Sequence, residues 1–162
     1  FNNGDSIELA TGTATKSTSA YWWPQDNSTN KEPYGALYNW HACVDARGIA
    51  PIGYHIPSKG ERDTLIAYLG GTTVAGGKLK ETGTDHWNAT NIASNSSGFT
   101  AVGSGWNISN LFKLYALFWT ATEDPITTTN GFRWYMWNNS DDAVADSNSK
   151  GVGFSVRCIK DQ

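Results

Sequence analysis

The chain has 162 residues, of which 39% are hydrophobic and 17% carry a charge, and its formal net charge is −3. This length suits one hydrophobic core, and we predict a single domain over residues 1–162. The acidic balance leaves no basic surface for nucleic acid or anionic lipid, and no apolar run is long enough to span a membrane. We therefore expect neither nucleic acid as a partner nor membrane insertion, and the composition leaves oligomerisation open.

The first 33 residues are polar and rich in turn-forming residues. We expect them to be extended, with short ordered pieces around residues 7–9 and 21–23. The chain begins with Phe1 rather than Met, so we expect it to be processed or excerpted from a longer protein.

The first predicted helix covers residues 35–46. Leu37, Trp40 and Val44 recur there at helical spacing. Gly48 follows the pattern and is a good stop signal. A helix with one buried side is therefore expected.

The second predicted helix begins at Ser58. Ser58 and Glu61 fit the S-x-x-E capping box, in which each side chain satisfies a backbone N–H at the helix start. Leu65, Ile66 and Leu69 form the buried stripe, and a pair of glycines then ends the helix.

The remainder of the chain is predicted to be an irregular insert followed by strands. Residues 72–116 have no helical periodicity and are rich in Gly, Ser, Thr and Asn, with scattered aromatic residues that favour a packed region. Strand-like runs follow at 117–122, 132–137 and 154–159, and a polar connection fills residues 138–153.

Two helices, an insert and an antiparallel ribbon are typical of an α+β fold. The last run alternates, which predicts that Phe154, Val156 and Cys158 share one face while Ser155 and Arg157 share the other.

Several strings of this sequence resemble the Fibrobacter succinogenes major paralogous domain family. They are YGALYNWHAC, GYHIPSKGERDTLIAYLGG, AGGKLKETGTDHWN, SGFTAVGSGW, FWTATE and GFSVRCIKD, and they cover nearly the whole chain from about Tyr34. The resemblance implies a C-type-lectin-like fold, related to formylglycine-generating enzymes and to the variable proteins of diversity-generating retroelements. It also implies a protein that is extracellular, at the bacterial cell surface or on a phage particle. Residues 1–33 would then be the extended and truncated N-terminal part of the domain.

Cys43 and Cys158 are the only cysteines and are far apart in the sequence. They predict either one disulfide or two buried thiols. Oxidase chemistry of the formylglycine-generating type needs a closely placed cysteine pair that binds copper, and the C-terminal region offers only Cys158. We therefore expect a protein that is not an enzyme, with such an oxidase as the least favoured alternative.

Asp141, Asp142 and Asp146 lie in one loop among several asparagines. Carboxylate and carbonyl oxygens are the ligands of calcium. The loop is therefore either a calcium site or a solvated polar loop, and no other cofactor is expected.

Alternation over residues 132–137 places Arg133, Tyr135 and Trp137 on one face if the other three residues face the core. These residue types are enriched at binding hot spots, and the face is either exposed or covered by the insert.

We predict a non-catalytic recognition or adhesion domain for a cell-surface glycan or protein. The predicted ligand-binding residues are Trp106, Asn107, Tyr115, Arg133, Tyr135, Trp137, Asn138 and Asn139. The alternative is a structural or assembly module of a surface or phage tail-fibre protein.

Overall fold

Four short helices and eight strands form an α+β fold in the computed structural model, which describes residues 1–162. In chain order they are β1 (Glu8–Leu9), β2 (Ala20–Trp22), α1 (Lys31–Tyr34), β3 (Leu37–Tyr38), α2 (Trp40–Cys43), β4 (Tyr54–His55), α3 (Lys59–Tyr68), α4 (Thr72–Leu79), β5 (Tyr115–Glu123), β6 (Asn130–Trp137), β7 (Val144–Ser149) and β8 (Ile159–Lys160). The predicted α+β class is confirmed. None of the helices combines the length and the apolar character that crossing a membrane requires.

The strands form three sheets, ordered β1-β2-β3, β4-β8 and β5-β6-β7. The last is antiparallel throughout, with Tyr115 opposite Trp137 and Tyr135 opposite Val144. β1 and β2 lie where the sequence predicts short extended pieces. Because β4 pairs with β8, the end of the chain returns to its first half.

The β5-β6-β7 sheet has an apolar cluster on each face, because its side chains alternate between the two faces. Phe118 and Trp134 face α3 and α4 and belong to the first cluster. Leu117 and Trp119 point the other way and pack with Phe154 in the second cluster. The sheet is therefore fixed from both sides.

The start and buried face of α3 are as predicted. The Glu61 N–H donates to Ser58 Oγ at 3.2 Å, and the Ser58 N–H donates to Glu61 Oε2 at 2.8 Å. Ile66 and Leu69 are buried, and Leu65 packs against the same cluster. The capping box and the apolar stripe are both confirmed.

The helix predicted over residues 35–46 is wrong over most of its length. β3 occupies its start, and α2 is a single turn. The buried Asn39 side chain accepts from the N–H groups of Ala20 and Ala42 and donates to the Thr18 carbonyl. It thereby caps α2 and joins it to the N-terminal segment, which competes with a continuous helix.

Two regular elements lie in stretches that the sequence predicts to be irregular. α4 lies at the start of the 72–116 insert, although Gly76 and Gly77 have low helix propensity. β7 lies in the polar connection of residues 138–153, and its sequence VADSNS has little strand propensity. β7 forms because it pairs along β6. The insert after α4 has no further helix or strand before β5, as predicted.

The run at residues 154–159 forms isolated bridges at Phe154 and Ser155 rather than a continuous strand. Phe154, Val156 and Cys158 pack in one cluster, as the alternation predicts. Ser155, expected on the opposite face with Arg157, is buried as well. Its hydroxyl lies 2.8 Å from that of Ser104.

Candidate functional site

Tyr115, Tyr135 and Trp137 form a cluster of aromatic rings, here called the ring cluster, on one face of the β5-β6-β7 sheet. The ring centres of Tyr115 and Trp137 are 6.1 Å apart and their planes differ by 25°. Tyr135 lies 6.1 Å from Tyr115 and 5.9 Å from Trp137. All three residues are partly exposed. Burial raises the pKa of the Tyr135 hydroxyl, and the charge of Asp146 adds to the rise.

Arg133 lies on the same face but is enclosed. Its guanidinium carbon is 5.6 Å from the ring centre of Trp106, 4.9 Å from that of Tyr135 and 5.0 Å from that of Phe154. Its Nε lies 2.7 Å from Asp146 Oδ1, and only 12% of its side chain is exposed. The predicted face is therefore covered at Arg133 and open at the ring cluster.

Trp106 and Asn107 border a polar cleft of about 350 Å³, here called the Trp106 cleft. Its other lining residues are Thr13, Trp23, Gln25, Asp26, Ser109 and Asn110. The Asn107 Oδ1 accepts from the Gly153 N–H at 2.8 Å, which fixes that side chain. Because Arg133 contacts both Trp106 and Tyr135, the cleft adjoins the ring cluster.

Two residues at the edge of the Trp106 cleft have an unusual backbone conformation. Gln25 and Asp26 have φ angles of 59° and 52°, in the left-handed region. Non-glycine residues in this region are uncommon, and the chain has four more of them, Thr90, Asn95, Thr100 and Lys113, outside this cleft. The Asp26 carboxylate accepts from the Gly12 N–H at 2.7 Å, which holds this edge in place.

The two predicted asparagines after Trp137 differ in their surroundings. Asn138 is buried, and its Nδ2 donates to the Ala89 carbonyl at 3.1 Å. Asn139 is exposed next to it. Asn138 therefore holds the insert against the end of β6, and only Asn139 is open to a ligand.

Lys80 supports the site and was not indicated by the sequence. It is fully buried, and its Nζ donates to the carbonyls of Trp137 at 2.7 Å, Asn138 at 2.9 Å and Ser140 at 2.7 Å. Burial lowers the pKa of Lys80 to about 8. A lysine that follows a helix is usually solvated, so no pattern in the sequence distinguishes this one.

The three aspartates predicted as calcium ligands have separate contacts. Asp146 pairs with Arg133, and Asp142 accepts from the Ser140 hydroxyl at 2.9 Å. Asp141 lies against the backbone of Gly77. No group of three His, Cys, Asp or Glu side chains is placed to hold a metal ion.

Cys43 and Cys158 are both free thiols. Cys43 is buried, and the partly buried Cys158 packs against the same apolar cluster. Burial raises the pKa of the Cys43 thiol, and the nearby Cys158 adds to the rise. A thiol with a raised pKa is a weak nucleophile.

The fold and these contacts define an α+β domain that presents aromatic rings and a polar cleft on one sheet face. The family model of the Fibrobacter succinogenes major domain matches residues 1–160. The chain belongs to this family, as its resemblance predicts. Comparison with curated proteins and with solved structures gives no match.

Proposed function

We propose that this protein is a non-catalytic recognition or adhesion domain that binds a cell-surface glycan or protein. The ring cluster carries the proposal, because three partly exposed rings stand together on paired strands. Tyr and Trp offer large contact areas with little loss of side-chain freedom, and they are enriched among residues that dominate binding energy.

The Trp106 cleft supports a glycan as the ligand. Aromatic rings pack against the apolar faces of sugars, while amide and carboxylate groups bond to hydroxyls. Trp23 and Trp106 supply rings, and Asp26 and the exposed Asn110 supply polar groups. Polar groups placed beside aromatic rings fix the orientation of a bound ligand.

The architecture we propose is C-type-lectin-like. Two helices pack on one face of the β5-β6-β7 sheet, and the end of the chain pairs with β4. The second apolar cluster packs on the opposite face of the sheet, so the β5-β6 hairpin is held from both sides, as a display scaffold requires. The resemblance and the weakly charged, Ser-, Thr- and Asn-rich composition support a location outside the cell, at a bacterial surface or on a phage particle.

The test combines Tyr135→Ala and Trp137→Ala with binding to a glycan array and to host cells. We expect each substitution to weaken binding at least about tenfold, as for hot-spot residues. Because both rings are partly buried, we also expect the melting temperature to fall by a few degrees, corresponding to about 1 kcal/mol. Tyr68→Ala is the control, since Tyr68 is 86% exposed on α3, away from the ring cluster.

Three results would overturn the proposal. Loss of folding in both variants would show that the rings are core residues. A stable oligomer with the ring cluster buried between subunits, detected by light scattering and cross-linking, would favour the structural or assembly alternative. Stoichiometric copper binding by the reduced protein would instead favour the oxidase alternative.

A further inference from the structure

A second cleft, here called the basic cleft, lies between α3 and the last residues of the chain. Its apolar floor is formed by Leu65, Phe99, Phe118 and Trp134, and its rim carries Arg62, Arg157 and Lys160. Phe118 and Trp134 point away from the ring cluster, so the two sites use opposite faces of the sheet. Its volume is about 390 Å³. Small-molecule sites span about 300–1,000 Å³.

The floor of the basic cleft is a preformed set of aromatic rings. Phe118 and Trp134 stack with ring centres 5.0 Å apart. Phe99 lies edge-on to both, at 5.7 Å from each. An apolar group placed on this floor would release water from both surfaces, which favours binding.

The rim of the basic cleft is cationic. Arg62 is only 6% exposed, its Nη2 donates to the Ala143 carbonyl at 2.6 Å, and its buried Nε has no hydrogen-bond partner. The Arg157 guanidinium lies 4.5 Å from the ring centre of Phe99, and Lys160 is exposed. The Arg157 Nη2 also donates to the Phe99 carbonyl. The unused donors of the rim are therefore Arg62 Nε, the Lys160 ammonium and the remaining N–H groups of Arg157.

The charged residues that line the basic cleft have a positive net charge, although the whole chain carries a net charge of −3. The one carboxylate that lines the cleft belongs to Glu61. It is already bonded to the Ser58 N–H at 2.8 Å and to His55 Nε2 at 2.8 Å. Arg62 Nη1 also pairs with Asp63 Oδ1 at 3.1 Å. Arg157 and Lys160 are therefore the cations of the rim that no carboxylate neutralises, and they favour an anion there.

We propose that the basic cleft binds a small monocarboxylate with an apolar body, such as an arylalkyl carboxylate. The apolar body lies on the Phe99, Phe118 and Trp134 rings, and the carboxylate meets the cations at the rim. A single negative charge fits best, because an apolar floor offers no donors to a polyanion that loses its hydration. This site is independent of the proposed recognition face.

The experiment is a calorimetric titration of the full chain with 3-phenylpropionate, with 3-phenylpropionamide as the neutral analogue. For a ligand of this size we expect saturable one-to-one binding with a dissociation constant of about 1 mM or tighter. The amide should bind about tenfold more weakly, because it lacks the charge-assisted bonds.

Arg157→Gln combined with Lys160→Gln is the test variant. Both residues are exposed, and glutamine at position 157 keeps a donor for the Phe99 carbonyl that Arg157 now bonds, so the variant should fold. Arg62→Gln removes a buried bond to Ala143 and is therefore avoided. We expect about a tenfold loss of carboxylate affinity in the double variant. Trp137→Ala should bind the carboxylate like the wild type, which separates this proposal from the recognition function. Absence of saturable binding, equal affinity for the amide, or unchanged affinity in the double variant would overturn it.

Discussion

Lys80 shows how one buried charge fixes a surface segment. Its ammonium group binds three carbonyls of the turn that follows β6, those of Trp137, Asn138 and Ser140, and it lies 5.7 Å from the ring centre of Trp87. Removing an ammonium group from water is costly, and the carbonyl partners offset that cost. The position of Trp137, and with it the geometry of the ring cluster, therefore depends on a buried residue outside the cluster.

Lys80→Met should lower the free energy of unfolding by about 2–4 kcal/mol, since it leaves three carbonyls without their donor in a buried setting. Urea denaturation at neutral pH measures this. Lys78→Met is the control, because Lys78 is partly exposed and donates one bond, to the Leu69 carbonyl at 2.8 Å. That substitution should cost about 1 kcal/mol or less. Equal losses in the two variants would contradict the role given to Lys80.

At the level of elements, the sequence predicts those helices and strands whose ends are determined by contacts between neighbouring residues. The start of α3 is predictable because Ser58 and Glu61 bond to adjacent backbone. α4 is not, because its glycines serve a distant contact: a Cβ at Gly76 would lie 2.1 Å from the Asp142 carbonyl oxygen. The candidate site shows the same difference between local and distant contacts. Alternation correctly groups Tyr135 with Trp137, but it carries no information about what covers the strand.

Gly76→Ala should destabilise the protein by about 2 kcal/mol or more, because the added methyl group must displace backbone in the 141–142 loop. Gly60→Ala is the matched control in α3. A Cβ there would meet only Ser58 Oγ, at 3.8 Å. Its effect should be neutral or stabilising by up to about 1 kcal/mol, from helix propensity. Thermal unfolding of both variants measures the contrast, and a stabilised Gly76→Ala variant would show that α4 does not pack closely on this loop.

At the scale of the whole molecule, the C-terminal end of the chain joins its first half. β4 pairs with β8, with His55 opposite Ile159. The His55 ring bridges the C-terminal tail and α3, with Nδ1 2.6 Å from Asp161 Oδ1 and Nε2 2.8 Å from Glu61 Oε1. Two carboxylates on one imidazole favour its protonated form, so this junction responds to mildly alkaline pH.

His55 gives a pH dependence whose sign follows from these contacts. Hydrogen bonds to Asp161 and then to Glu61 raise the pKa of His55 above its ordinary value of 6.5. Below pH 6.5 the ring is protonated in both the folded and the unfolded state, so the stabilisation is complete. As the pH rises through the folded pKa, the folded state holds a proton that the unfolded state has released, and the stabilisation is lost.

The free energy of unfolding of the wild type, minus that of His55→Gln, should therefore decrease between pH 6 and pH 9. Urea denaturation at several pH values measures this difference, and subtraction removes the contribution of all other titrating groups. Asp161→Asn is the companion variant, because it removes the first of the two carboxylates and leaves the capping box of α3 intact. It should weaken the pH dependence while retaining its sign. A difference that stays constant with pH, or that grows as the pH rises, would show that the two carboxylates do not hold the proton on His55 in the folded protein.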